Sequence, residues 1–302
     1  MDKAKTSYVA VSLACFSTML GGMTVAFTRL VISETEPLSL ALIRYGIAAI
    51  ILLAYFLYTE KMIPRVAKPD IWALIVLGLF MFTLFPSLMA RALVDTSAAH
   101  GGLIFSTMPL ITMIISVTFG VEAINRYKVA GVAIAIIGTL LALETNTDSF
   151  KEATLWGDIY MFLGITSASI FNVFSKKYLI LYGYLFVIAF TLIIGVAGLF
   201  VLALIFESPF TGSLSFSATG WFVVLLLAIP GGTLMVAIWG KVLQMISPTQ
   251  AAITIGFNPL TAIVLGAWFL SEGVSELLFV GLILILVAII VASYDPKPAG
   301  NS

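Results

Sequence analysis

The sequence predicts an all-α integral membrane protein. Ten transmembrane helices are expected, arranged as two inverted five-helix repeats over residues 1–150 and 151–302. Three observations predict this. The chain is 61% hydrophobic and only 10% charged, with a mean hydropathy of +1.14, whereas a soluble domain carries about a quarter charged residues. Its apolar runs have the length that a bilayer demands, about 20 residues for a hydrocarbon layer about 30 Å thick. Its punctuating residues also recur at a fixed offset: Pro109 and Pro259, Glu122 and Glu272, and Gly131 and Gly281 are each 150 positions apart.

The spans are expected at 7–32, 38–58, 71–92, 97–119, 127–144, 155–175, 184–206, 219–241, 247–270 and 274–293. Helices are required because every backbone polar group must be paired inside the bilayer. The first span carries the lone cysteine, Cys15, and the Gly21-Gly22 pair. "SLAC" before Cys15 is similar to a lipoprotein cleavage box, but Ser12 stands where a leucine is wanted, so an uncleaved first helix is expected. The second span holds Arg44, and the third is interrupted by Pro86-Ser87. Pro109 lies near the centre of the fourth, and Glu122 closes the loop before the fifth, which holds Gly131. The sixth carries Asn172. The eighth contains Pro230-Gly231-Gly232 and Trp239. The ninth holds Pro259, and the tenth Gly281. Connections are short, leaving no room for a soluble domain.

Lys and Arg set the orientation. With an inside N-terminus, the cytoplasmic set is Lys3, Lys5, Lys61, Arg65, Lys68, Arg126, Lys128, Lys176, Lys177, Lys241 and Lys297. The outer set is only Arg29, Arg91 and Lys151, and Arg44 falls within a span. Both termini are therefore expected in the cytoplasm of a bacterial-type inner membrane. Zero net charge and the absence of a basic patch give no signal for nucleic acid. The expected partners are the lipid bilayer and a small-molecule solute. The sequence does not set the oligomeric state, and a monomer is compatible with it.

The offset of 150 also pairs Ser97 with Ser247, Pro109-Leu110 with Pro259-Leu260, Phe119 with Phe269 and Arg91 with Lys241. Each half has five spans, an odd number, so the halves enter the membrane from opposite sides. Inverted repeats of this kind are typical of secondary transporters, which bind solute near the midplane between the halves. Ten short helices in two halves, each with a mid-helix proline and then a glutamate before its last helix, resemble the drug/metabolite transporter superfamily, specifically its EamA-type members. "TMLGGMT" keeps a Gly-Gly pair but lacks the tryptophan frequent in that family's first helix, and "ITSASIFNVFSKK" lacks it in the sixth. The resemblance implies a transporter working in the export direction.

Proline removes one backbone hydrogen bond and clashes with the carbonyl four residues back. Pro109 and Pro259 should free the carbonyls of Phe105 and Ile255, which must then face protein or a wet cavity. The expected hinge set is Pro86, Pro109, Pro230, Gly231, Gly232 and Pro259. Gln250, Thr254 and Asn258, at i, i+4 and i+8, form a polar stripe on an apolar helix and are the leading candidates for solute contact. His100, the only histidine, aligns with Gln250 in the repeat and would suit a proton relay. Arg44 needs a partner inside the membrane; Glu34, Glu36 or Asp158 could serve, or a solute carboxylate. Trp239, Asn172, Tyr160 and Ser87 are weaker cavity candidates. Glu122 and Glu272 read as caps for the helices that follow them.

No Asp or Glu falls near an expected midplane, which favours a neutral or zwitterionic solute over proton/polycation exchange. One histidine and one cysteine leave no catalytic set, metal site or cofactor site. The reading is an exporter of a small metabolite, an amino acid or related compound, working by alternating access. The alternatives are an importer of a vitamin or nucleobase, an intramembrane enzyme, and a channel, for which no filter-like motif is present.

Overall fold

The computed structural model describes residues 3–60, 62–95, 104–143, 155–270 and 276–293, and among these residues regular structure is entirely helical. Ten helical segments follow in chain order: α1 (Lys3–Val31), α2 (Pro37–Thr59), α3 (Lys68–Asp95), α4 (Met108–Thr118), α5 (Arg126–Leu143), α6 (Leu155–Tyr182), α7 (Tyr184–Phe206), α8 (Ala218–Met245), α9 (Pro248–Phe269) and α10 (Glu276–Ser293). Seven of them, α1, α2, α3, α6, α7, α8 and α9, are long and apolar enough to cross a membrane. The apolar part of α4 and the stretch Phe279–Ser293 of α10 are shorter. The spans expected at 97–119, 127–144 and 274–293 each run into residues 96–103, 144–154 or 271–275, which lie outside the described residues, as do His100 and Glu272.

Turns follow local chemistry. α6 runs to Tyr182, seven residues beyond its expected end, and Gly183 reverses the chain with φ of +82°, a region open to glycine. Pro37, Pro69 and Pro248 sit in first turns, where the missing N–H costs nothing. α9 opens on a capping box: the Gln250 backbone N–H donates to Ser247 Oγ and the Ser247 N–H donates to Gln250 Oε1, both at 3.3 Å.

Carboxylates cap helices across the fold rather than along the chain. At one end of the bundle, Glu207 accepts the backbone N–H groups of Leu38 and Ser39 at 2.8 and 2.7 Å, and Glu34 accepts the Ser217 N–H at 2.7 Å. At the other end, Glu122 accepts the Thr249 N–H at 2.9 Å and the Lys128 ammonium at 2.8 Å. Glu122 is thus a helix cap as its position suggests, but of α9 and not of the helix that follows it. The reason is geometric: the α4–α5 turn lies beside the start of α9, whose free N–H groups attract negative charge.

Helix pairs meet on small residues. α5 and α10 pack face to face, with a Cβ at Gly131 falling 2.9 Å from the Ala288 carbonyl oxygen and one at Gly138 falling 3.0 Å from that of Gly281. α1 packs against α9 and α8, α6 against α4 and α3, and α2 against α7. The main core gathers the inward faces of α2, α3, α6, α7 and α8 around Phe82, Phe171, Met161, Leu199 and Leu243.

Candidate functional site at the helix breaks

Four helices carry a break, and each break is next to a proline named above. In α3 the backbone widens to a π turn at Phe80–Leu84 just before Pro86, and in α8 to a π turn at Ile229–Leu234 that contains Pro230. A proline cannot donate to the carbonyl one turn back, and widening the turn relieves its clash. Hydroxyls bond carbonyls around both breaks. Thr83 Oγ1 donates to the Gly195 carbonyl at 2.8 Å and Ser87 Oγ to the Thr83 carbonyl at 2.7 Å. Thr233 Oγ1 donates to the Ala228 carbonyl at 3.2 Å. The other two breaks are tight. A 3-10 turn, Thr254–Gly256, precedes Pro259, and a turn at residues 106–107 precedes Pro109. Between them lies a cavity of about 10 Å³ lined by Phe105, Pro109, Ile255, Pro259 and Thr139, about the room of one water. Phe105 and Ile255 are the two residues whose carbonyls the prolines free.

The polar stripe of α9 is divided by that 3-10 turn. Gln250 Nε2 donates to the Ala292 carbonyl of α10 at 3.1 Å. Thr254 is fully buried and its hydroxyl donates to the Ala251 carbonyl at 2.7 Å. Asn258 turns toward α1 and lies on Gly21-Gly22: a Cβ at Gly21 would fall 2.7 Å from Asn258 Oδ1. That Oδ1 is buried and has no hydrogen-bond partner, so it stands ready for a donor.

Asn172 and Trp239, from α6 and α8, are brought together. The Trp239 indole N–H donates to Asn172 Oδ1 at 2.9 Å, and Asn172 Nδ2 remains buried without an acceptor. Arg44 Nη2 donates to the Tyr45 hydroxyl at 2.8 Å and the guanidinium lies 4.5 Å from the centre of the Tyr45 ring. Two of its expected ion-pair partners, Glu34 and Glu36, accept backbone N–H groups of Ser217 and Ser208. Tyr160 stacks near Trp156 and Arg91, away from the breaks. Among the described residues no group of His, Cys, Asp and Glu could hold a metal.

The model of the EamA-like transporter family matches residues 8–143 and again residues 155–294. The chain belongs to the EamA-like transporter family. Its relatives include the uncharacterized transporter YyaM of Bacillus subtilis, 23% identical over 90% of this chain and 89% of that one. The uncharacterized inner membrane transporter YedA of Escherichia coli K12 is 23% identical over 91% and 87%. A solved crystal structure superposes with a TM-score of 0.80 over 94% of this chain and 96% of the other, at 18% identity, a likeness of fold. Membership in this family implies a membrane context and a small-molecule solute, and the names of the family and of these relatives are those of transporters.

Two residues at the breaks escaped the reading of the sequence. Ser17 Oγ donates to the Met235 carbonyl at 2.9 Å, at the end of the α8 π turn, and Ser167 Oγ donates to the Phe80 carbonyl at 2.6 Å, at the start of the α3 π turn. They tie α1 to α8 and α6 to α3. The signal was present, since Ser17 and Ser167 are themselves 150 positions apart.

Proposed function

We propose that this protein is a secondary transporter that moves a small metabolite, an amino acid or a related compound, outward across a bacterial-type inner membrane by alternating access. The halves, residues 1–150 and 151–302, rock about the breaks in α3, α4, α8 and α9. The observation that carries the reading is an exchange relation in the contacts. Moving every residue by 150 positions turns α1 against α9 and α8 into α6 against α4 and α3, and both sets of contacts are made. The same shift turns Gly131 against Ala288 into Gly281 against Gly138, also a contact. The π turns at Phe80–Leu84 and Ile229–Leu234 fall in register under it. Contacts that survive such an exchange support two halves related by a two-fold axis, which the five spans expected per half would direct along the membrane plane. A screen of labelled solutes with the purified chain in liposomes, with and without a pH gradient, tests the activity: uptake must saturate for at least one of them.

The topology follows from the same reading. Single cysteines at Lys61 and Asp148, in a Cys15→Ser background, should differ in reactivity. An impermeant reagent applied to intact cells should label position 148 and spare position 61. Labelling at 61 would reverse the orientation.

Asn258 is the proposed donor-and-acceptor contact for solute. Among the described residues its Oδ1 makes no hydrogen bond, so Asn258→Leu loses none there. The expected result is a thermal midpoint near that of the parent with apparent solute affinity weakened by about 1–3 kcal/mol, or about 5- to 150-fold. A lower midpoint with normal affinity would make Asn258 a helix-packing residue.

A further inference from the structure

Transport by alternating access does not by itself say what the protein reads on its solute, and Arg44 supplies that. It stands seven residues past Pro37, about 10 Å into the helix. A guanidinium at that depth needs an anion or an escape to water. It has no anion: among the described residues no carboxylate pairs with it, and its Nε is buried without an acceptor. The guanidinium is folded onto Tyr45, itself buried at 6% exposure. Tyr45 packs edge-on against Phe82 with ring centres 5.8 Å apart, and Phe82 likewise against Phe171 at 5.8 Å. The next residue is Asn172, 1% exposed, whose Oδ1 is taken by Trp239 and whose Nδ2 has no acceptor. Among the described residues Arg44 thus holds an unmatched charged donor.

We propose that Arg44 anchors a carboxylate of the transported solute. The inference rests on the transporter reading and narrows it to solutes bearing a carboxylate. The guanidinium fork matches a carboxylate in geometry as well as charge. Tyr45 holds the fork still by accepting from one Nη and leaves the Nε–H to the solute. Among the described residues no counter-ion competes for it.

Thermal unfolding of the purified full chain tests this with named probes: acetate, benzoate and the twenty common L-amino acids, each beside its uncharged amide, with sodium chloride as the ionic-strength control. At least one carboxylate should raise the midpoint saturably while its amide does not. Arg44→Gln should weaken that protection by about 10- to 150-fold, the range for a lost hydrogen bond to a charged group, and Arg44→Lys should restore part of it. Where Arg44→Gln does not fold, Tyr45→Phe decides the question. It removes the hydroxyl that holds the fork and should weaken the protection. Protection by no carboxylate, equal protection by acid and amide, or full protection of both variants overturns the proposal. Counterflow of the protecting carboxylate separates the two readings. Binding without exchange contradicts transport and leaves the site standing, whereas exchange confined to uncharged solutes contradicts the site and leaves transport standing.

Discussion

Gly22→Leu is expected to yield a chain that does not reach a monodisperse folded state. A Cβ at this position falls 2.3 Å from the Asn258 carbonyl oxygen and 2.6 Å from Thr261 Cβ. The first is backbone and cannot move away without carrying α9 with it. Overpacking of a core costs about 1–3 kcal/mol when flexible side chains absorb it, and more when they cannot. Here α1 must separate from α9, and the bond from Ser17 to the Met235 carbonyl is put at risk with it. Gly46→Ala is the control, since nothing lies within 4 Å of a Cβ there, and replacing a mid-helix glycine by alanine stabilises by about 0.5–1 kcal/mol. Size-exclusion profiles and thermal midpoints of the two variants check this. A Gly22→Leu chain that elutes and melts like the parent would mean that α1 and α9 are not in close contact.

The second large effect is expected at Glu122. Its side chain is 4% exposed and serves two partners, the Lys128 ammonium and the Thr249 backbone N–H. Nearby, the Lys176 ammonium donates to the Ile246 carbonyl at the end of α8. The α8–α9 turn is thus held by a cation at the negative end of one helix and an anion at the positive end of the next. Glu122→Gln leaves Lys128 without its counter-charge, and breaking a buried pair from one side costs about 3–5 kcal/mol. The double variant Glu122→Gln, Lys128→Met should recover a large part of that loss, because no unpaired charge remains. Thermal midpoints for the four members of this cycle give the coupling. Additive losses would show the pair to be open to water.

The apolar helices were legible because hydropathy is a property of composition, and α2 and α7 begin and end within a residue of their expected bounds. Pro86, Pro109, Pro230 and Pro259 marked where helices break. They did not tell which way the backbone would yield. Widening at Phe80–Leu84 and tightening at Thr254–Gly256 are both answers to a missing N–H, chosen by the neighbours that pack there. The second choice changed the reading of α9. A stripe at Gln250, Thr254 and Asn258 presumes an unbroken turn of 3.6 residues, and the 3-10 turn rotates the chain faster. Gln250 therefore meets α10 while Asn258 meets α1.

The partners of the acidic residues were not legible for a different reason. Glu34, Glu122 and Glu207 bind backbone N–H groups more than 120 positions away, and any helix start offers the same N–H groups to any carboxylate. Sequence gives the sign of the charge and its distance from the next helix, not which helix start will be its neighbour. The same blindness hid the fact that among the described residues no carboxylate pairs with Arg44. Only packing shows that Glu34 and Glu36 are engaged elsewhere.

Counterflow tests the central claim most directly. Liposomes holding the purified chain are preloaded with a high concentration of unlabelled amino-acid mixture, diluted, and given a trace of the same mixture carrying label. A protein that alternates its access between two sides must trap label by exchange. Internal label is then expected to overshoot its equilibrium level and decline as the preloaded pool runs down, with the labelled compounds chemically unchanged. A monotonic approach to equilibrium that does not saturate, or label recovered as a different compound, would contradict the account.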